Sequence, residues 1–286
     1  MPKFSLIVLA SLLAAACSPR DSAQAPANVI YVSIPPQAGI VRAIAGDHYE
    51  VRTLLGQGAS HESYEPKPSQ LEDLARAALY VRMGVPFENA VWNRVREINP
   101  KMRVVEAQSG IPPREMHAEE GHEHGDQDPH IWLVPSNMRH MAELVAQTLI
   151  EMDPSHAGEY RANLQRVTAG LDALDQDLRR ELAPVQGKTF WVYHPAWGYF
   201  ADAYGLRQHG IEQEGKELGT QSLTRLVTEG KEQGVRVVFL DPRTGGKSAQ
   251  LVAQEIGARV EPLDPIAEDY SANLRAVARA IREAVQ

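Results

Sequence analysis

The chain has 286 residues, 43% of them apolar and 23% charged, which leaves room for two lobes of ordinary size. Its 29 basic against 37 acidic side chains give a formal charge of −8, which argues against general nucleic-acid binding because phosphates need a positive surface. No apolar run reaches the roughly 18 residues of a membrane-spanning helix. The single cysteine excludes an internal disulfide and a cysteine-rich zinc cluster.

Residues 1–16 (MPKFSLIVLASLLAAA) read as a signal peptide. Lys3 opens it, and the apolar and small residues from Phe4 to Ala16 form a secretory core too short to span a bilayer. The alanines before Cys17 make that cysteine the expected lipidation site, although cleavage after Ala-x-Ala would leave a free thiol. Residues 17–27 are small, polar and proline-containing, as a tether should be.

An N-terminal lobe is expected over 28–152. Strands are read at 28–33, 50–55, 79–83 and 103–106. Helices are read at 36–45, from the capping box Ser69-x-x-Glu72, at 87–95 and at 137–152. A linker over 153–183 follows. Within it Tyr160, Leu164, Val167, Leu171, Leu174, Leu178 and Leu182 recur at steps of three and four, so one continuous helical strut is expected despite Gly170. The C-terminal lobe, 184–286, resumes the alternation with strands at 189–193, 236–240 and 259–263 and helices at 196–204, 223–233, 248–256 and 272–285. Alternating strands and helices imply α/β lobes with parallel sheets, and such sheets place ligands beyond the carboxyl ends of their strands.

Candidate ligands fall at such positions. His61 follows the second strand, His130 precedes the 137–152 helix, and His194 and Asp264 each follow a strand directly. Three imidazoles and a carboxylate suit a tetrahedral Zn(II). Asp241, also just past a strand, rivals Asp264 for the carboxylate, and Asp264-Pro265 could instead open a turn.

The motifs GASHESYEPKPSQL, LEDLARAALYVRMGVPFE, DPHIWL, VYHPAWGYFADAYGL, IEQEGKELGTQSL and LDPIAEDY run in order from about Asn28 to the end. In them the chain resembles the metal-specific solute-binding proteins of bacterial ABC importers, particularly the zinc-uptake branch. The resemblance implies two lobes joined by a long rigid helix with one metal in the cleft between them. It implies His61, His130 and His194 as ligands and Asp264 as a fourth, with Glu62 or water as its substitute. The cofactor it implies is Zn(II). A histidine at 194 points toward zinc, since manganese-binding relatives favour a carboxylate there. The acidic, histidine-rich stretch Glu115 to His130 cannot build a core and should be a surface loop. Its His117, His122 and His124 are candidates for an accessory, weaker metal site.

His48, His140, His156 and His209 read as structural, His209 in a loop. Trp132, Trp191 and Trp197 read as walls of the site, and Glu214 and Glu217 as supports for the imidazoles. The implied protein is an exported monomer and not an enzyme. It would be held at the outer face of the membrane by Cys17, serve an ABC permease with its ATPase, and accept zinc from a possible donor protein. The alternatives are a manganese or iron receptor, a secreted zinc hydrolase, and an adhesin-like surface role. The hydrolase lacks the helix motif H-E-x-x-H.

Overall fold

Proline, glycine and short apolar runs punctuate this chain into strand–helix units. The computed structural model describes residues 27–56, 58–116, 127–212, 219–244 and 246–286. The signal segment, Cys17 and most of the tether lie outside the described residues.

The first half comprises β1 (Ala27–Val32), α1 (Pro35–Ala45), β2 (Glu50–Thr53), α2 (Pro68–Ala75), β3 (Ala77–Arg82), α3 (Glu88–Ile98), β4 (Arg103–Glu106) and α4 (Pro135–Met152). Its strands form a parallel sheet in the order β2-β1-β3-β4. Pro35 and Pro36 open α1, where a missing N–H costs nothing. Gln37 then closes the turn: its Oε1 accepts the N–H groups of Ser33 and Ile34 at 2.9 and 3.0 Å, and its Nε2 donates to the Val81 carbonyl. The second helix starts one residue before the expected Ser69. Pro68 fixes its first turn, and Gln70 Oε1 accepts the Lys67 N–H at 2.9 Å, the part assigned from sequence to Glu72.

The second half comprises α5 (Ala157–Leu182), β5 (Thr189–Val192), α6 (Gly198–Tyr204), β6 (Arg207–Gly210), α7 (Thr220–Glu232), β7 (Val237–Leu240), α8 (Lys247–Ile256), β8 (Arg259–Pro262) and α9 (Tyr270–Val285). The sheet order is β6-β5-β7-β8, again all parallel. Strand β6 was not expected. It is an edge strand of sequence RQHG with no fully buried side chain, so it carries neither an apolar run nor an alternation to betray it. His209 therefore lies on a strand, its ring stacked on Trp191 at 4.2 Å.

Helix α5 runs unbroken through Gly170 for 26 residues, about 39 Å at 1.5 Å per residue. It packs on α1 and α4 of the first half and on α9 and α6 of the second. Tyr160, Leu171, Leu174, Leu178 and Leu182 are buried along it. One apolar core is thereby continuous between the lobes. Other contacts cross as well. Trp132 Nε1 donates to the Pro265 carbonyl at 2.6 Å, and Tyr270 Oη donates to the Trp132 carbonyl at 2.8 Å. These bonds seat the segment holding His130 directly against the second lobe.

Candidate metal centre

His61 stands in the loop after β2, His130 in the segment that leads into α4, and His194 just past the end of β5. All three come from the carboxyl-end side of their sheets, where parallel strands present ligand-binding loops. Among the described residues these three histidines offer ring nitrogens that all lie within 4.8 Å of one another. The ring centroids are 5.2 Å apart for His61 and His130, 5.3 Å for His130 and His194, and 6.3 Å for His61 and His194. His61 and His130 are each 1% exposed, which makes a solvated-loop explanation for either untenable.

Two of the imidazoles are oriented by carboxylates. Asp128 Oδ1 accepts from His130 Nδ1 at 2.7 Å and from the His130 backbone N–H at 2.9 Å. Glu212 Oε2 lies 3.2 Å from His194 Nδ1. With Nδ1 donating, each ring keeps its Nε2 lone pair for the cluster, the tautomer a metal ligand needs. His61 Nδ1 is buried and has no hydrogen-bond partner among the described residues. Trp132 closes the floor, its ring 5.5 Å from His61 and 5.0 Å from His130.

Electrostatics separate the three. Burial pushes His61 well below the ordinary imidazole value, reinforced by His130, His194 and Arg243. Burial also lowers His130, against the opposing pull of Asp128. Burial lowers His194 too, but the hydrogen bond to Glu212 and the charges of Glu62 and Glu212 outweigh it, and the net shift is upward. Glu62 Oε1 lies 3.1 Å from His194 Nε2, and burial raises its own carboxyl. Glu62, His194 and Glu212 make a second set of donors within 4.8 Å, sharing His194 with the first.

Asp264, the fourth ligand the resemblance implies, is engaged by other partners in this structure. Its two oxygens are held by the Arg243 guanidinium, one of them at 3.0 Å, and its Oδ1 also accepts the Ile266 N–H. The rival, Asp241, is held by the same arginine at 3.0 Å. Neither carboxylate joins the donor sets. One guanidinium offsets only part of the two charges, but its fork occupies the carboxylate oxygens that would otherwise face a cation. Trp191 does not wall the site as expected: it belongs to the smaller apolar cluster behind β5 and β7 and packs on His209. Trp197 is buried beside His194, in the lining of the small cavity next to it.

His117, His122, His124, Glu214 and Glu217 lie outside the described residues. The ends of the histidine-rich loop are described, and Glu115 pairs with Gln127 in an antiparallel bridge. Sequence reasoning missed Asp128, Glu212 and Arg243. Asp128 was legible, standing two residues before His130 in Asp-Pro-His. Glu212 was hidden because it follows the unrecognised β6.

The model of the family described as zinc-uptake complex component A, periplasmic (ZnuA), matches residues 30–284. The high-affinity zinc uptake system protein ZnuA of Yersinia pestis is 29% identical over 262 residues, covering 83% of this chain and 82% of its own. A putative metal-binding protein of Chlamydia muridarum is 29% identical over 255 residues, with 89% and 90% covered. A crystal structure of ZnuA superposes with a TM-score of 0.84 at 40% identity, covering 90% of this chain and 99% of that one. A family match over nearly the whole described length, joined to the same two-lobe fold, settles the assignment: this chain belongs to the family of periplasmic component A proteins of zinc-uptake complexes.

Proposed function

We propose that this protein is a high-affinity receptor that holds one Zn(II) between its lobes and delivers it to a membrane ABC permease driven by its ATPase. His61, His130 and His194 supply three neutral nitrogens, and Glu62 supplies the fourth donor in place of Asp264. The observation that carries this reading is the convergence of three imidazoles from two lobes, two of them preset by Asp128 and Glu212. Imidazole-rich sites suit zinc better than manganese, which favours oxygen donors. The crystal structure of a ZnuA deletion mutant with zinc bound, 40% identical to this chain, supports the same cargo. The role is capture and release rather than catalysis.

Export by residues 1–16, anchoring through Cys17 and a weaker accessory site at His117, His122 and His124 belong to the same proposal. So does delivery of zinc to the receptor by a donor protein. Competition titration of the wild type, His61→Ala and a deletion of residues 117–126 tests it. Tight zinc binding should be lost with His61→Ala, while the deletion should remove only weak binding. Tight binding that survives His61→Ala, or manganese that outcompetes zinc, would overturn the reading.

A further inference from the structure

Arg114 stands at the foot of the loop closed by the Glu115–Gln127 bridge, and its guanidinium spans the two lobes. Nη1 donates to Asp128 Oδ2 at 3.2 Å and to the Glu115 carbonyl at 2.9 Å, while Nε donates to Asp202 Oδ2 at 2.8 Å. Asp128 is the carboxylate that orients His130. Asp202 lies on α6, the helix that follows His194 in the chain. A single side chain therefore ties the support of a first-lobe donor to the helix behind a second-lobe donor. The same helix is stitched again by Tyr199 Oη, which donates to the Pro112 carbonyl at 3.0 Å.

The two arms of the arginine differ in character. The Asp128 side chain is wholly buried, whereas that of Asp202 is 64% exposed. The first arm is a desolvated charge pair, costly to break, and the second is an exposed pair of modest strength. Lobe separation would break the weaker arm and leave the arginine with His130's support. Gly198, at the start of α6, makes room for this crossing. A Cβ built there would stand 2.1 Å from Arg114 Nη1 and 2.3 Å from its Cζ, so any side chain at 198 must displace the guanidinium.

We infer that Arg114 is an inter-lobe latch, a positioning residue that holds His130 and His194 in register across the cleft and slows release of the metal. The inference rests on the zinc site proposed above. A cation ligated from both lobes can leave only as the lobes part, and a link that must break in that motion raises the barrier to exit without touching the ion.

The test is stopped-flow release of zinc to a chelator, with association rates and melting temperatures, on the full chain. The variants are Asp202→Asn, Gly198→Ala and Arg114→Lys, with His61→Ala as control. Asp202→Asn and Gly198→Ala should release zinc roughly two- to fivefold faster at an unchanged association rate, the scale of an exposed ion pair. Gly198→Ala should also lower the melting temperature, because the displaced guanidinium strains its buried pair with Asp128. Arg114→Lys, which keeps the charge but cannot reach both carboxylates, should release zinc at least as fast as Asp202→Asn. Release within twofold of the wild type in both Asp202→Asn and Gly198→Ala would overturn the latch while leaving the site reading intact. Tight binding that survives His61→Ala would overturn both.

Discussion

Nε2 of His61 and Nε2 of His130 face each other across 3.0 Å in the buried site. Because His130 donates its Nδ1 proton to Asp128, its Nε2 is a lone pair, and in this arrangement His61 must place a proton on its own Nε2. A tetrahedral zinc at about 2.0–2.1 Å from each nitrogen sets such a pair roughly 3.3 Å apart, close to the separation already present. One histidine is preset in its ligating tautomer and the other is not. A metal bound by both rings would have to displace the proton on His61 Nε2, whereas His130 would be ready as it stands.

The contrast makes Asp128 the more consequential of the supports. Asp128→Asn keeps the shape of the side chain but removes the charge that fixes the His130 tautomer. Loss of an outer carboxylate of this kind typically weakens metal binding about 10- to 100-fold. Competition titration against a chelator of known affinity should show that loss in the variant. Affinity within twofold of the wild type would mean that the ring is oriented by packing against Trp132 instead.

Acidification should act first through His194. His61 and His130 are held below the ordinary imidazole value and stay neutral as the pH falls through about 6.5, whereas His194 is raised and takes up its proton first. Zinc affinity should accordingly begin to fall above about pH 6.5 with a slope of one proton per pH unit, a sharper statement than joint titration of three histidines. Glu212→Gln should move that onset to lower pH. The metal-free fold follows with opposite signs. The stability from His194 is fully present below the unfolded value of about 6.5 and is lost as the pH rises through its folded value. That from His61 and His130 is present above about 6.5 and lost below it, as the unfolded chain takes up the protons. Below about pH 6.5 the His194 contribution no longer changes, so the loss from His61 and His130 should lower the melting temperature of the metal-free protein between about pH 6.5 and 5. An affinity slope of two or three protons from the outset would contradict the assignment.

The sequence made the architecture legible because the central strands β1, β3, β5 and β7 carry nearly continuous apolar runs. The run TFWV of β5 is bounded by His194, and β7 by Asp241, so the carboxyl ends were visible before any coordinates. What stayed hidden lay at an edge or depended on a distant partner. RQHG offers no strand signal, and without β6 the chain gives no reason to bring Glu212 back to His194. Asp264 stands just past a strand end as a ligand should, yet its carboxylate is already taken. Arg243, from the connection between β7 and α8, meets it at the end of the neighbouring strand, 21 residues away in the chain, and no local pattern announces that encounter. Arg114 escaped notice for the same reason, its two carboxylates lying 14 and 88 residues away in the chain.

Gln37 gives a stability prediction independent of the metal. It is fully buried and satisfies the N–H groups of Ser33 and Ile34 at the carboxyl end of β1. Gln37→Leu would preserve volume but strand both donors and the Val81 carbonyl, each worth about 1–3 kcal/mol when buried without a partner. Denaturant unfolding should register a loss of at least about 2 kcal/mol. A loss under 0.5 kcal/mol would mean that those groups find other partners.

Gly170 gives a prediction of the opposite sign. It sits on an exposed turn of α5, and a Cβ added there meets no heavy atom within 4 Å. Its φ is not in the left-handed region, so alanine fits the backbone without strain. Glycine costs a helix interior about 0.8–1.0 kcal/mol relative to alanine, in part by the freedom it returns to the unfolded chain. Gly170→Ala should therefore raise the unfolding free energy by about 1 kcal/mol. The strut spans both lobes, so the change also asks whether its midpoint must bend for zinc to leave. A straight, load-carrying helix predicts greater stability with zinc affinity and release rate unaltered. A slower release in Gly170→Ala, at equal association rate, would show that the glycine serves as a flexure and that the lobes part by bending α5.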